Sequence, residues 1–270
     1  DTVVKRWGET LENLPKNTIV LVNGDDANTS KLKSSFKGKV ETFGVADYKI
    51  VGESLEHVRH PHKLDFEAIN VKMNGLDGSE FQVTGSRLQF TVNLPIPGVY
   101  HIYDALAAFA AAFHLNLPIN QLTNHLVNFS PAFGRVEKLP FGYIFLIKNP
   151  AGATQVFETL APQIKSEDRL LIALNDNLAD GTDVSWIWDA GFEKFRNSLG
   201  VNRKTPPRWE LIASGSRATD LAVRLKYAGF DPKTIRVEPT LKKALESSRA
   251  GLKGSLYILP TYTALLELQR

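Results

Sequence analysis

The distribution of apolar positions divides the chain into two differently patterned halves. From Tyr143 onward, short apolar runs alternate with stretches of helical periodicity. Tyr143-Ile144-Phe145-Leu146-Ile147 reads as a buried strand, followed by the breaker Asn149-Pro150-Ala151-Gly152 and a helix from Thr154 to Ile164. Arg169-Leu170-Leu171-Ile172-Ala173-Leu174 and Trp209-Glu210-Leu211-Ile212-Ala213 follow as further strands. Ser216 to Tyr227 places Leu221, Val223, Leu225 and Ala228 at helical spacing, with Gly229 as a C-terminal stop. Ile235-Arg236-Val237, a helix from Leu241 to Ser248, the strand Leu256-Tyr257-Ile258-Leu259 and a last helix from Thr261 complete the series. Strands that are apolar along their whole length and alternate with helices imply a parallel sheet covered on both faces. This half is expected to be Rossmann-like.

The first half carries a mixed pattern. Ile19-Val20-Leu21-Val22 is a short strand, and Asn23-Gly24-Asp25-Asp26 is a tight acidic loop at its carboxyl end, the edge where open α/β sheets bind ligands. Between Ala68 and Val92 apolar residues alternate with polar ones, interrupted by Asn74-Gly75, Asp77-Gly78 and Gly85-Ser86. That pattern predicts antiparallel hairpins. Pro95 and Pro97 end it, and an alanine-rich helix spans Tyr103 to Phe113. The two patterns meet near Glu137–Pro140, so the chain is expected to be α/β throughout, with one domain over 1–139 and a second over 140–270.

Composition removes several function classes. Two hundred and seventy residues, 43% of them hydrophobic, suffice for two modest cores. The longest apolar candidate, Ala105 to Phe113, is about half of what a membrane helix needs, so no membrane span is expected. The first residues lack the apolar region of a secretory signal. A net charge of +3 shows no basic stripe for nucleic acid, and the Lys31, Lys33, Lys37, Lys39 cluster reads as a solvated face. Cysteine is absent, which fits a cytoplasmic location and excludes disulfides, thiolate metal sites and cysteine nucleophiles within the sequence.

The richest stretch for chemistry is Asn175 to Asp189. It leaves a buried strand and contains Asp176, Asp180, Asp183, Asp189, Trp186 and Trp188. Carboxylates there could orient a histidine, hold Mg²⁺ or act in proton transfer. Equally, the stretch could be a polar loop of Asx-turns anchored by two tryptophans. His57, His60 and His62 lie close together, but Arg59 and Lys63 would repel a cation and Pro61 prevents helical placement. His101 and Asp104 would face one way on a helix, where a structural hydrogen bond and a ligand contact are equally open.

Several motifs coincide in chain order. Gly98-Val99-Tyr100-His101-Ile102-Tyr103-Asp104-Ala105-Leu106-Ala107-Ala108 is similar to the nucleotide-site helix of Mur ligases, with both motif asparagines replaced, by His101 and Asp104. Gly134-Arg135-Val136-Glu137 and the Asn23-Gly24-Asp25-Asp26 loop also resemble Mur ligase motifs, and Lys148-Asn149-Pro150-Ala151-Gly152, the Asp176–Asp189 segment with Asn177, and Pro260-Thr261-Tyr262-Thr263-Ala264-Leu265-Leu266 resemble the MurT family within that superfamily. The resemblance covers essentially the whole chain.

It implies a partial Mur-ligase central domain followed by a MurT C-terminal Rossmann-like domain. It further implies amidation of the D-glutamate α-carboxylate of lipid II to D-isoglutamine, in peptidoglycan synthesis, with ATP and Mg²⁺. Arg135, Glu137, Lys148, Asn149, His101 and Asp104 would serve the nucleotide or an acyl phosphate. Ammonia would come from a GatD-type glutamine amidotransferase subunit with its own Cys and His. An aspartate of this chain would complete that triad, with Asp183 favoured, then Asp180, because Asp176 leaves the strand directly and is expected to be buried. Asp176, Asn177, Trp186, Trp188 and Asp189 would face the partner. The family's P-loop belongs upstream of Asp1, so on this resemblance the 270 residues alone are not expected to hydrolyse ATP. The segment from Glu56 to Ala68 runs on without the family's four-cysteine ribbon, so no zinc is expected. Two other functions share this ligase frame: a stand-alone amino-acid ligase like folylpolyglutamate synthase, and a non-catalytic docking scaffold.

Overall fold

The computed structural model describes residues 2–269 apart from 52–53, 59–63, 86–87, 127–128, 130–134 and 201–209. The chain separates into two compact units, Asp1–Ser130 and Pro131–Arg270.

The first unit begins with α1 (Thr2–Glu12), β1 (Ile19–Asn23), the short α2 (Ala27–Lys31) and β2 (Lys39–Val45). A two-stranded hairpin follows, β3 (Tyr48–Val51) and β4 (Ser54–His57). Then come β5 (Phe66–Met73), β6 (Ser79–Gly85), β7 (Leu88–Leu94), α3 (Val99–His114) and α4 (Ile119–Leu126). Its main sheet has the order β1-β2-β5-β6-β7. The β1–β2 and β2–β5 pairings are parallel, and β5–β6 and β6–β7 are the antiparallel meander that the alternation around 68–92 predicts. Helix α3 starts at Val99 and not at Tyr103, and buries His101, Ile102, Leu106, Phe109 and Ala110. Small alanines allow it to lie close to the sheet, where Phe66, Phe81 and Val83 are sealed from water.

The second unit comprises β8 (Glu137–Leu139), β9 (Gly142–Ile144), α5 (Pro150–Leu160), β10 (Arg169–Ala173), a 3₁₀ turn at Ser185–Trp188, and α6 (Phe192–Ser198). It continues with β11 (Glu210–Ser214), α7 (Ala218–Tyr227), β12 (Ile235–Glu238), α8 (Leu241–Arg249), β13 (Leu256–Pro260) and α9 (Tyr262–Leu268). The sheet order is β12-β11-β10-β13-β9-β8. All neighbours are parallel except β8, which pairs antiparallel with β9. Because Glu137–Leu139 pairs in this sheet, the second unit begins before the Glu137–Pro140 junction at which the sequence patterns meet. Leu170, Leu171, Leu211, Ile212, Ile258 and Leu259 are almost wholly buried, each contributing on the order of 1.5–3 kcal/mol of apolar burial. The aromatic rings of Phe157, Phe192 and Phe195 join α5 to α6, with centroids 4.6–4.7 Å apart.

Two local expectations need correction. Asn149-Pro150-Ala151-Gly152 starts a helix instead of breaking one: Asn149 Oδ1 accepts the Gly152 amide at 2.7 Å and Pro150 occupies the first turn. On α7 the buried positions are Ala218, Leu221, Arg224 and Leu225, whereas Val223 is exposed.

Candidate functional site

In the second unit the chain steps from β10 outward to β11 and β12, then returns to β13 on the other side of β10. The carboxyl ends of β10 and β13 therefore mark the topological switch point, where doubly wound sheets leave a crevice for ligands. Here that crevice is bridged by the chain's own polar side chains. Asn175 is buried; its Nδ2 donates to Thr263 Oγ1 at 3.1 Å and Glu267 Oε1 at 3.0 Å, and its Oδ1 accepts the Ser216 amide at 2.9 Å. Asn177 Nδ2 donates to the same Thr263 Oγ1 at 2.8 Å. Asp180 takes both the Thr263 amide, at 2.8 Å, and the Thr263 hydroxyl, so it caps the first turn of α9. Gly215 permits this closeness: its φ is +93°, and a Cβ there would stand 2.4 Å from Leu174 O and 2.7 Å from Asn175 Oδ1.

Asp176 is not buried as the sequence suggests; the buried residue leaving β10 is Asn175. Asp176 lies partly exposed, accepts the Ser216 hydroxyl at 2.9 Å and pairs with Arg217 at 3.5 Å. Asp183 is exposed, and its Oδ1 accepts the Ser185 amide at 2.8 Å. That backbone hydrogen bond holds its carboxyl below the usual aspartate value, so it stays ionised. Asp189 is exposed, Trp186 is partly buried and Trp188 half exposed. The Trp188 ring meets Tyr227 of α7 edge to face, centroids 5.6 Å apart. Behind it the buried Arg224 grips the turn by Ile187 O and Ala190 O and pairs with Glu193. The Arg224 guanidinium in turn holds the Glu193 carboxyl below its usual range. Sequence reasoning passes over Arg224, although its spacing from Leu221 and Ala228 puts it on the apolar stripe.

Lys148 and Asn149 stand at the end of the β9 run, on the same carboxyl edge of the sheet. Asn149 is committed to capping α5, and exposed Lys148 forms no ion pair with another described residue. Arg135 is exposed just before β8, and Glu137 sits on β8 opposite Ile144. An exposed lysine next to a helix start suits an anionic ligand.

His101 and Asp104 belong to the first unit, and the candidates described above belong to the second. His101 Nδ1 lies 3.3 Å from Asp104 Oδ2, while its buried Nε2 has no hydrogen-bond partner among the described residues. Such an orphan at the start of α3 fits a site that a polar ligand completes. The acidic loop after β1 turns inward: buried Asp25 accepts the Val45 amide at 2.7 Å and the Tyr103 hydroxyl at 2.8 Å. Burial and that neighbouring carboxylate push the Tyr103 phenol far above its usual value. Asp26 caps α2 by accepting the Asn28 amide. The loop is thus structural on both counts. His60 and His62, and the side chain of His57, lie outside the described residues. Among the described residues no group of three His, Cys, Asp or Glu could hold a metal ion, and no helix is long and apolar enough to cross a membrane.

The chain aligns in fold with solved Mur ligases. MurF from Acinetobacter baumannii aligns with a TM-score of 0.67 at 17% identity, covering 98% of this chain and 55% of that one. Folylpolyglutamate synthase from Mycobacterium tuberculosis, solved with ADP, aligns with a TM-score of 0.65 at 16% identity, covering 100% and 59%. At such identities what is shared is the fold, which is α/β and Mur-ligase-like, with mostly parallel sheets. Sequence narrows the class. Residues 146–265 match the family described as MurT ligase C-terminal. The lipid II isoglutaminyl synthase (glutamine-hydrolysing) subunit MurT of Streptococcus pneumoniae strain R6 is 36% identical over 197 residues, 69% of this chain and 42% of that protein. The subunit of the same description from Staphylococcus aureus strain COL is 33% identical over 177 residues, 64% and 38%. Residues 146–265 thus carry the MurT ligase C-terminal domain, and the chain spans less than half the length of these relatives.

Proposed function

We propose that this chain is part of an ATP-dependent carbon–nitrogen ligase that amidates the D-glutamate α-carboxylate of lipid II, with ammonia supplied by a GatD-type glutamine amidotransferase. The observation that carries this reading is the family match over 146–265, which contains the whole Asp176–Asp189 segment. The shared fold does not distinguish peptide ligases from folylpolyglutamate synthase; the family match favours MurT. The reaction suits a cytoplasmic enzyme, where ATP is supplied.

A carboxylate is a poor electrophile, and ATP supplies the phosphoryl group that gives it a leaving group. On this reading the exposed Lys148 neutralises charge on a phosphoryl oxygen, and Arg135 does the same from the segment before β8. Asn149 holds the start of α5 beside Lys148, and Glu137 on β8 would serve the nucleotide side. His101 offers its unmatched Nε2 to a polar group of the nucleotide, with Asp104 orienting the ring through Nδ1. The described side chains make no metal site of their own, so Mg²⁺ would arrive on the nucleotide phosphates and no step is assigned to it.

For the partner's triad Asp183 is the better fit. Asp180 has both oxygens engaged by Thr263, whereas Asp183 keeps an ionised, exposed carboxylate aimed by one amide bond. An aspartate in that role orients a histidine and stabilises its charged form. Asp176, Asn177, Trp186, Trp188 and Asp189 would frame the contact. The test is amidation of lipid II by the full-length subunit with its amidotransferase, with ATP and glutamine present. Formation of D-isoglutamine with ADP release is the expected result. Attachment of an amino acid instead, with no need for a glutaminase, would support the stand-alone ligase.

A further inference from the structure

A guanidinium shut away from water must have its N–H groups matched, because an unmet buried cation costs several kcal/mol. Arg224 is such a group, 2% exposed and the bulkiest fully buried side chain among the described residues. Its Nε donates to Ile187 O at 2.8 Å, and Nη2 donates to Ala190 O at 3.0 Å. Nη1 and Nη2 together grip the Glu193 carboxylate at 2.7 and 2.8 Å. Trp188 and Phe192 present their rings 5.3 and 5.1 Å from its Cζ. These partners all fall within 187–193, so Arg224 serves that segment and not its own helix.

A leucine in the same place would fill the volume but leave the turn carbonyls unheld. The fork of an arginine fixes the directions of two carbonyls at once, which fixes the turn between them. What that turn displays is outward: Trp188, 50% exposed, stands edge-on to Tyr227, 72% exposed. Val223, one helical turn before Tyr227, extends the same exposed apolar strip. Two large aromatics held rigidly at the surface are the composition of a binding hot spot.

We propose that Arg224 is a positioning residue for the partner contact. It holds Ser185–Trp188 so that Trp188 and Tyr227 form one preset aromatic edge, and Tyr227 is a contact residue that the loop alone does not reveal. This rests on the reading that an amidotransferase docks here.

The test uses the full-length subunit with its amidotransferase. For Arg224→Lys the partner Kd should rise at least tenfold, and the ratio of glutamine-driven to ammonia-driven amidation should fall by a similar factor. Amide exchange at Ile187–Ala190 should quicken in the same variant. Faster exchange with wild-type partner affinity overturns the inference, because the turn would then be loosened without consequence. Should Arg224→Lys not fold, Tyr227→Ala at the exposed end of the edge should weaken partner binding at least fivefold; unchanged binding overturns the inference equally. A wild-type subunit that binds no amidotransferase at all overturns the functional reading, and this inference with it.

Discussion

Asp180 and Asp183 sit on one loop, yet their surroundings assign them different work. Asp180 spends both oxygens on Thr263 at the head of α9, and Asp183 accepts from Ser185 and stays exposed to water. Asp183→Asn should therefore lower glutamine-driven amidation by roughly 10²–10⁴-fold with little change in melting temperature, measured against ammonia-driven turnover of the same preparation. A variant with wild-type glutamine use would remove Asp183 from the triad. Glu193 offers a test by pH. Its folded-state value is depressed by Arg224 from a reference of 4.5, so its contribution is fully present above that reference. The contribution is lost as pH falls from there through the depressed folded value. The stability gap between wild type and Glu193→Gln, from denaturant titrations, should be constant near neutrality and close in acid below pH 4.5. A gap that widens in acid would contradict the Arg224 pairing.

Among the elements, the strand–helix alternation of the second unit is legible because parallel strands are buried on both faces and must be apolar throughout. β10, β11, β12 and β13 all lie within a residue or two of where that pattern puts them. β2 escapes it because its middle is Glu41, buried against His114 and Lys39, so a charge interrupts an interior strand. The short α6 escapes because Phe192 and Phe195 pack inward over barely two turns. The candidate site is legible as a segment but not as an arrangement: nothing in the spacing tells that Asn175 turns in and Asp176 out. Thr263 is the hub of that arrangement, accepting from Asn175 and Asn177 and donating to Asp180. Thr263→Val should cost about 1–3 kcal/mol of stability, measured by chemical denaturation, since the hydroxyl bond to Asp180 and the acceptor shared by two amides are lost together. Gly215→Ala should cost at least as much, because its Cβ would meet the Leu174 carbonyl in a backbone conformation that alanine resists.

At the scale of the whole molecule, each unit owns a sheet and a sealed core. A fragment of residues 135–270 should accordingly fold alone and melt in one cooperative transition, with calorimetric and van't Hoff enthalpies in agreement. A broad, non-cooperative melt would show that its core is incomplete. The doubly wound topology of that unit also bears on how it can be inhibited. The switch point that serves related folds as a socket is plugged by Asn175, Asp180 and Thr263, and the loop beyond it faces outward. The edge of the sheet is thereby turned from a receptacle into a platform. A fragment screen against this unit should leave the β10–β13 crevice empty and concentrate its hits around Trp188 and Tyr227, where only a compound able to compete with a protein surface would have any effect.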